Sequence, residues 1–369
     1  MAIAYALLKE ADRSHNEGLR QMGLATSRFF SDHVRQDVPG LLYGDYLISD
    51  QQWVGFLGLP DWPDSISSRQ LGEILDHLAE LTKWAKDKDP SDAESWETLL
   101  TKAGDFLVAA KRYRGMYPRT WYPDGRPAGW DDGGTPVVGS VTASGAYLIA
   151  PLVKMYRLTG RRRYLETAES LMKAYYEEYG RDLKYSYSGA TLDAACEDKE
   201  AGQGMLHGAI SLYETTHNPE YLEWARDAAD WLLTWYYVYD ADFPSGAPLH
   251  GTVDTVGWMT VSVQNEVIDM FGDFSAADLY ELGKYLHDQR YQKISRTIFE
   301  ASTQTIARPG HMFGLPEPGM QFEHVTQTDY GHVHGARWRG EGFVPEIIWP
   351  LGNTLYSGEK MMEAGAFAR

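Results

Sequence analysis

The stretch GAYLIAPLVKMYRLTGRRRYLETAESLMKAYYEEY, residues 145–179, predicts two helices joined by a short turn. In its second half, apolar residues recur at helical spacing, for example Leu165, Ala168 and Leu171. Gly160 interrupts the pattern between the halves, as expected of a residue that ends helices. The stretch therefore predicts a helical hairpin.

The same plan recurs along the chain. Residues 202–239, GQGMLHGAISLYETTHNPEYLEWARDAADWLLTWYYVY, again predict two helices, with Asn218-Pro219 as the breaker. The tyrosines flanking the two turns are equally spaced, and the second copy follows the first by 57 residues. Further copies are expected at 4–34, 71–113 and 276–307. A repeated hairpin cannot bury its apolar face alone, so the copies must stack into a solenoid or close into a ring.

The segments between hairpins are long and rich in Gly, Pro and Trp: 116–142, 181–200, 240–261 and 307–342. Long loops in a compact domain are usually functional. If the helices alternate between inner and outer layers of a ring, all four segments emerge at one end. We therefore expect them to surround one pocket.

The hairpins, the many aromatic residues and four loop motifs resemble the six-hairpin glycosidases. The motifs are GWDDGG (129–134), TLDAACEDKEAG (191–202), GWMTVSVQNEVID (257–269) and QTDYGH (327–332). That superfamily includes unsaturated glucuronyl hydrolases of glycoside hydrolase families 88 and 105, and several polysaccharide lyases. The resemblance implies an all-α (α/α)6 toroid and a single catalytic domain over residues 1–369. It does not extend to a catalytic motif, so the candidate site residues below come from the chain's own chemistry.

The composition of the chain limits the kinds of molecule that it is expected to bind. The net charge of −18 disfavours nucleic acid, whose phosphates the chain would repel. Twelve Trp and 24 Tyr suit a carbohydrate, because aromatic faces pack on sugar C–H groups. Cys196 is the one cysteine, which excludes an internal disulfide and a cysteine zinc cluster. No phosphate loop or dinucleotide fingerprint occurs, so no cofactor is expected.

The N-terminal stretch MAIAYALLKEADRSHNEGLRQ lacks the features of a signal peptide, and no apolar run is long enough for a membrane span. We expect a cytoplasmic protein, or one domain of a longer secreted bacterial protein. The oligomeric state is left open.

The first candidate site is DAACEDKE, residues 193–200, at the entrance of a predicted helix. Hydrolysis of a glycoside requires two carboxyl groups, one as acid and one as base or nucleophile. We expect Asp198 to pair with Asp329 from across the ring, with Glu200 as a further catalytic candidate and Asp193 in substrate binding. The alternative is that these acids only cap the helix, whose free N–H groups and dipole stabilise negative charge.

The second candidate is the segment 257–269, which we expect to open a helix. Gln264 and Glu266 are suited to hydrogen bonds with vicinal hydroxyls, and Trp258 to stacking on a sugar. The alternative is that Glu266 pairs with a basic residue of a neighbouring hairpin.

The third candidate, residues 321–337, includes Tyr330, His334 and Arg337 as substrate-binding residues. Its histidines do not have zinc-motif spacing, so no metal site is expected. In an alternative chemistry, Tyr330 and a histidine abstract the proton α to a uronate carboxylate held by Arg337. The arginines of this segment can instead simply pair with Glu341 at the surface.

The fourth candidate is WDDGGTP, residues 130–136, in which Trp130 and Asp132 suit the wall of a sugar cleft. Its composition equally predicts a plain Asx turn.

Together these segments favour a glycoside hydrolase acting on a glycan or oligosaccharide that can contain uronic acid. A polysaccharide lyase is the runner-up, disfavoured by the acid-rich loops. A non-catalytic helical scaffold is the third alternative, and it does not account for acids and aromatics concentrated in the loops.

Overall fold

The structure, a computed structural model, describes residues 1–55, 64–181, 187, 189, 196–263, 267–269, 271–326, 339–343 and 349–367. Regular structure in these residues is mainly helical. Ten helices form five consecutive pairs joined by short turns: α1 (Ala2–Ser14) and α2 (Glu17–His33), α3 (Ser68–Lys88) and α4 (Pro90–Ala109), α5 (Ile149–Thr159) and α6 (Arg162–Tyr175), α7 (Lys199–Thr216) and α8 (Pro219–Leu233), and α9 (Ala276–Tyr285) and α10 (Gln289–Thr303). A further helix, α11, spans Trp349–Glu363. The five pairs confirm the predicted hairpins.

Four of the five hairpin turns share a backbone plan, and the turn between α3 and α4 differs from it. In three of them a histidine at the end of the first helix is left-handed, with φ of 54° at His15, 56° at His217 and 54° at His287. Gly160 takes this place after α5, with φ of 70°. The next residue after each histidine is Asn or Asp, and its side chain accepts a backbone N–H from the first turn of the second helix, as Asn218 does. A reversal of direction and a helix start are thus built from two adjacent residues.

The second helices of successive hairpins are tied by one type of contact. A tyrosine at the start of α6, α8 and α10 donates its hydroxyl to a carboxylate of the preceding second helix: Tyr164 to Asp105, Tyr221 to Glu169, and Tyr291 to Asp230. The Tyr164 bond is 2.5 Å long and the Tyr221 bond is 3.5 Å long. The repeat seen in the sequence therefore recurs as a repeated tertiary contact.

The chain divides into two compact units, the first comprising Met1 and Ile3–Ala228, the second Ala2 and Ala229–Arg369. In the first unit, α5 and the 3-10 segment Ala143–Leu148 before it pack against both α3 and α7. The single domain expected over 1–369 stays a prediction.

Glycines permit this close packing in the first unit. A Cβ on Gly72 of α3 would lie 2.5 Å from the carbonyl oxygen of Tyr147, and one on Gly204 of α7 would lie 2.8 Å from the Tyr147 ring. Real Cβ atoms do not come this close to other heavy atoms. Glycine at these two positions therefore lets α3 and α7 approach the 3-10 segment from both sides.

Short strands occur between the helices. β1 (Asp45–Leu47) pairs with β2 (Gln52–Val54), and β3 (Ile66–Ser67) pairs with β4 (Thr120–Trp121). The second unit has an antiparallel sheet in the order β5 (Met259–Thr260), β6 (Val267–Asp269), β7 (His324–Thr326) and β8 (Gly342–Phe343). All pairs are antiparallel.

The expectation that residues 257–269 open a helix is wrong, because β5 and β6 occupy this segment. Val267 and Ile268 are β-branched and fully buried, and they pair with β7. A helix at this place would leave β7 without these partners. Regular helix resumes only at α9.

The core of the second unit surrounds this sheet. Trp258, Ile268 and Val325 are fully buried there and pack with Phe243 and Phe322. Across the described residues of both units, no helix combines the length and the apolar character needed to cross a membrane.

Candidate functional site

Two of the long connecting segments meet at the helix starts of the first unit. The backbone N–H and the hydroxyl of Ser68, at the start of α3, both donate to the carbonyl of Arg119 at 2.9 Å. The Ser68 hydroxyl also lies 2.8 Å from that of Ser144. The hydroxyl of Thr142 donates to the carbonyl of Gly189 at 2.7 Å. Arg119 of segment 116–142 thus contacts the start of α3, and Gly189 of segment 181–200 contacts Thr142, which directly precedes the 3-10 segment.

Asp198 is the N-cap of α7. Its carboxylate accepts the backbone N–H of Glu200 at 2.9 Å, and the residue is fully buried. Its own N–H donates to the carbonyl of Tyr187 at 3.2 Å, which holds the preceding segment to the helix start. The capping role that the sequence left open for Asp198 is therefore present, and a catalytic role for it stays a prediction.

Glu200 belongs to a buried group of charges that we call the Arg69 cluster: Arg69, Glu73, Asp198, Lys199 and Glu200. The guanidinium of Arg69 lies 2.7 Å from the Glu200 carboxylate and 3.2 Å from that of Glu73. Lys199 Nζ is 3.7 Å from Glu200 Oε1. Glu200 is 4% exposed, and Lys199 is fully buried. α3 and α7 are thereby linked through side chains that are shielded from water.

The charge balance of the cluster affects its protonation. It holds two cations and three carboxyl groups, so it is neutral only when one carboxyl keeps a proton. Burial raises the pKa of Glu200 to about 8, with Asp198 and Glu73 acting in the same direction and Arg69 and Lys199 against it. Burial also raises the pKa of Glu73. Burial therefore favours the protonated form of Glu200, which is the form in which a general acid acts.

Further along the same helices lies a second buried group, the Lys154 network: Asp76, Glu80, Lys154 and His207. The ammonium of Lys154 lies 2.8 Å from both the Asp76 and the Glu80 carboxylates. His207 Nε2 is 3.2 Å from Asp76 Oδ1, and a third of its side chain is exposed. Burial disfavours the charge on Asp76, but Lys154 and His207 outweigh it and hold the pKa of that carboxyl well below its usual range.

Gln203 and Tyr147 lie beside these charges with unused hydrogen-bonding groups. Gln203 follows Glu200 by three residues and precedes His207 by four, so the three side chains share one face of α7. Gln203 is 4% exposed, and neither atom of its amide has a hydrogen-bond partner among the described residues. The same is true of the buried hydroxyl of Tyr147, whose ring packs against Gly204.

Trp130 and Asp132 lie in the turn that the sequence predicted. Asp131 accepts the backbone N–H of Thr135, four residues later, at 2.7 Å, so its side chain closes this turn. Trp130 is half-buried and packs edge-to-face on Tyr113, with ring centroids 6.1 Å apart. Asp132 is exposed. Substrate binding by Trp130 and Asp132 stays a prediction.

Trp258 lies in the core of the second unit. It is fully buried, and its indole N–H donates to the carbonyl of Ala301 at 2.8 Å. Since no face of the ring is exposed, its observed role is packing, and it offers no stacking surface in this structure.

The remaining predicted site residues lie outside the described residues: Asp193, Gln264, Glu266, Asp329, Tyr330, His334 and Arg337. Their roles stay predictions, including the pairing of Asp198 with Asp329. In the part of the chain that the structure describes, no group of three or more His, Cys, Asp or Glu side chains is arranged to hold a metal ion.

Sequence reasoning missed the contribution of α3. Arg69, Glu73, Asp76 and Glu80 follow one another at steps of four, three and four residues, which places them on one helix face. Between these four residues, α3 carries mainly apolar ones: Leu71, Gly72, Ile74, Leu75, Leu78 and Ala79. A charged stripe among apolar residues was the available signal, because buried polar groups cost free energy unless they are paired.

Comparison with known proteins identifies the fold. No family model matches the chain, and no curated protein matches its sequence. Among solved structures, a D-mannose isomerase is 10% identical, with 98% of this chain and 86% of that one aligned at a TM-score of 0.59. Cellobiose 2-epimerase from Bacillus thermoamylovorans B4167 is 11% identical, covering 97% and 85%, with a TM-score of 0.60.

A third similar structure is the unsaturated glucuronyl hydrolase of Bacillus sp. GL1, described as responsible for the degradation of glycosaminoglycan. It is 14% identical, and 98% of this chain and 84% of that one are aligned at a TM-score of 0.56. These likenesses span nearly the whole chain. They confirm the fold class that the resemblance implied, an (α/α)6 fold of the six-hairpin glycosidase-like type.

Proposed function

We propose that the protein is a carbohydrate-active enzyme that hydrolyses glycosidic bonds, with Glu200 as its proton donor. The supporting observation is the position of the Glu200 carboxyl, which is buried at a helix start where residues of two long segments meet, so that burial raises its pKa to about 8. The fold adds support, since the three similar structures are named for reactions of carbohydrates.

In this proposal Glu200 protonates the glycosidic oxygen as the bond to it breaks. A second, ionised carboxylate then activates water or attacks the sugar directly. Asp329 remains the sequence-based candidate for that second group, with Asp198 as the residue that fixes the start of α7 and thereby the backbone of Glu200. The sequence left open whether the sugar is a uronic acid.

The test is Glu200→Gln, which keeps the side-chain shape and removes the transferable proton. Loss of a general acid typically lowers turnover by about 100-fold or more. Hydrolysis is scored by mass spectrometry as uptake of heavy oxygen from labelled water into products of a panel of oligosaccharides. Glu166→Gln is the matched control, because Glu166 is an exposed partner of Arg162 on α6. Turnover by Glu200→Gln equal to that of the control would remove Glu200 as the donor.

A second candidate function is isomerisation or epimerisation of a sugar, favoured by the His207–Asp76 pair. A histidine oriented by a carboxylate and partly open to solvent can move a proton to and from carbon. Such a reaction in deuterated water would place deuterium on a sugar carbon without cleaving a glycosidic bond, which nuclear magnetic resonance detects. A lyase, the runner-up from the sequence, would instead raise ultraviolet absorbance by forming an unsaturated uronate.

A further inference from the structure

The charged groups around Glu200 already have partners. The guanidinium of Arg69 contacts two carboxyl groups, the ionised Glu73 and the acid Glu200. Lys154 is likewise held by two, Asp76 and Glu80. Lys199 lies nearest Glu200. An additional anion would therefore compete with existing buried ion pairs.

The two clusters together also carry an excess of acid. The Arg69 cluster and the Lys154 network contain three fixed cations, Arg69, Lys154 and Lys199, and five carboxyl groups. With one of the five carboxyl groups protonated, four negative charges face three positive ones. A proton on His207 would bring this sum to zero, so the sum is not positive in either case. These described residues therefore hold no surplus positive charge that could offset the cost of burying a sugar carboxylate without a partner. Binding of a sugar carboxylate at this site is disfavoured for that reason.

Among the described residues, two neutral groups beside the Arg69 cluster, the Gln203 amide and the Tyr147 hydroxyl, have unused hydrogen-bonding capacity. The Gln203 amide offers donors and an acceptor, and the Tyr147 hydroxyl offers one of each. Buried groups of this kind are normally satisfied in the functional state. Sugar hydroxyls are both donors and acceptors, so they match an amide and a phenol without bringing charge into the site.

We propose that the sugar bound at this site is uncharged, and that Gln203 and Tyr147 bind its hydroxyl groups. The inference rests on the proposed function, because it takes the Arg69 cluster to be the sugar site. It goes further by excluding a uronic acid from the position next to Glu200.

The experiment is calorimetric titration of the full chain with matched sugar pairs at low salt: glucose with glucuronate, mannose with mannuronate, and galactose with galacturonate. We expect the neutral member of the preferred pair to bind at least about tenfold more tightly, a difference of roughly 1.4 kcal/mol. Gln203→Met should weaken binding of the neutral sugar by about tenfold, because it removes both hydrogen-bonding atoms at similar volume. Gln21→Met, on the exposed surface of α2, is the matched control and should bind like the parent.

A uronate that binds as tightly as its neutral partner overturns the inference, and leaves the hydrolase proposal standing. An unchanged affinity in Gln203→Met, or no binding by any of the six sugars, also overturns it. Binding of a neutral sugar without glycosidic cleavage supports the inference and removes the hydrolase proposal. The two proposals therefore fail separately.

Discussion

Replacing Lys154 by Met should destabilise the protein more than any surface charge mutation. The ammonium of Lys154 lies 2.8 Å from two carboxylates, Asp76 and Glu80, and all three side chains are about 10% exposed. Methionine fills a similar volume but leaves both carboxylates buried without their cation. A buried charge without a partner raises the free energy of the folded state by more than the loss of the ionic attraction alone would.

The magnitude follows from that geometry. Breaking a buried ion pair by removing one partner costs about 3–5 kcal/mol. This is a large part of the roughly 5–15 kcal/mol by which a native protein is stable. In urea unfolding followed by circular dichroism, we expect the midpoint to fall by about 1 M or more.

Lys86→Met is the matched control. Lys86 also pairs with a carboxylate, Glu97 at 2.9 Å, but its side chain is 42% exposed, so the loss should stay below about 1 kcal/mol. A triple variant, Lys154→Met with Asp76→Asn and Glu80→Gln, removes the stranded charges and should recover most of the stability. If Lys154→Met unfolds at the same urea concentration as Lys86→Met, the account of this network is refuted.

Further outcomes are expected elsewhere in the first unit. Gly72→Ala should cost about 1–3 kcal/mol in urea unfolding, because its Cβ would collide with the Tyr147 carbonyl; unchanged stability would mean that α3 can shift freely. Tyr164→Phe should cost about 1 kcal/mol, and Tyr221→Phe less, since their hydroxyl bonds are 2.5 Å and 3.5 Å long; the reverse order would contradict this. The pKa of Glu200, about 8 when folded against 4.5 for the free group, means that the folded state binds the extra proton between these values. Stability should therefore fall as pH rises from about 4.5 to 8, and Glu200→Gln should flatten that fall; parallel pH profiles would disprove the shift.

The hairpins could be predicted because their signals are local. Residues 145–179 combine helical periodicity with a glycine at the turn, and they form α5 and α6 with Gly160 between them. The segment 257–269 lacked such a signal, since a short apolar run fits a strand and a helix equally well. Its strands depend on pairing with β7, which lies more than fifty residues later in the chain.

The candidate site was predicted only in part. Asp198 and Glu200 were identified from acids at a helix start, which is a local pattern. Their surroundings depend on residues far away: Asp76 and His207 are 131 positions apart, and so are Arg69 and Glu200. Sequence spacing does not reveal which distant charge enters a buried site, so the raised pKa of Glu200 had no counterpart in the sequence.

The tyrosine contacts between second helices have a consequence for how such a chain can change in length. α6 carries both a donor, Tyr164, for the preceding second helix and an acceptor, Glu169, for the next one. α8 likewise carries the donor Tyr221 and the acceptor Asp230. A duplicated hairpin would therefore arrive with a donor and an acceptor already in place for its new neighbours. A hairpin can therefore be added by duplication without new residues at the contacts between second helices. Each copy is then free to diverge in the loops.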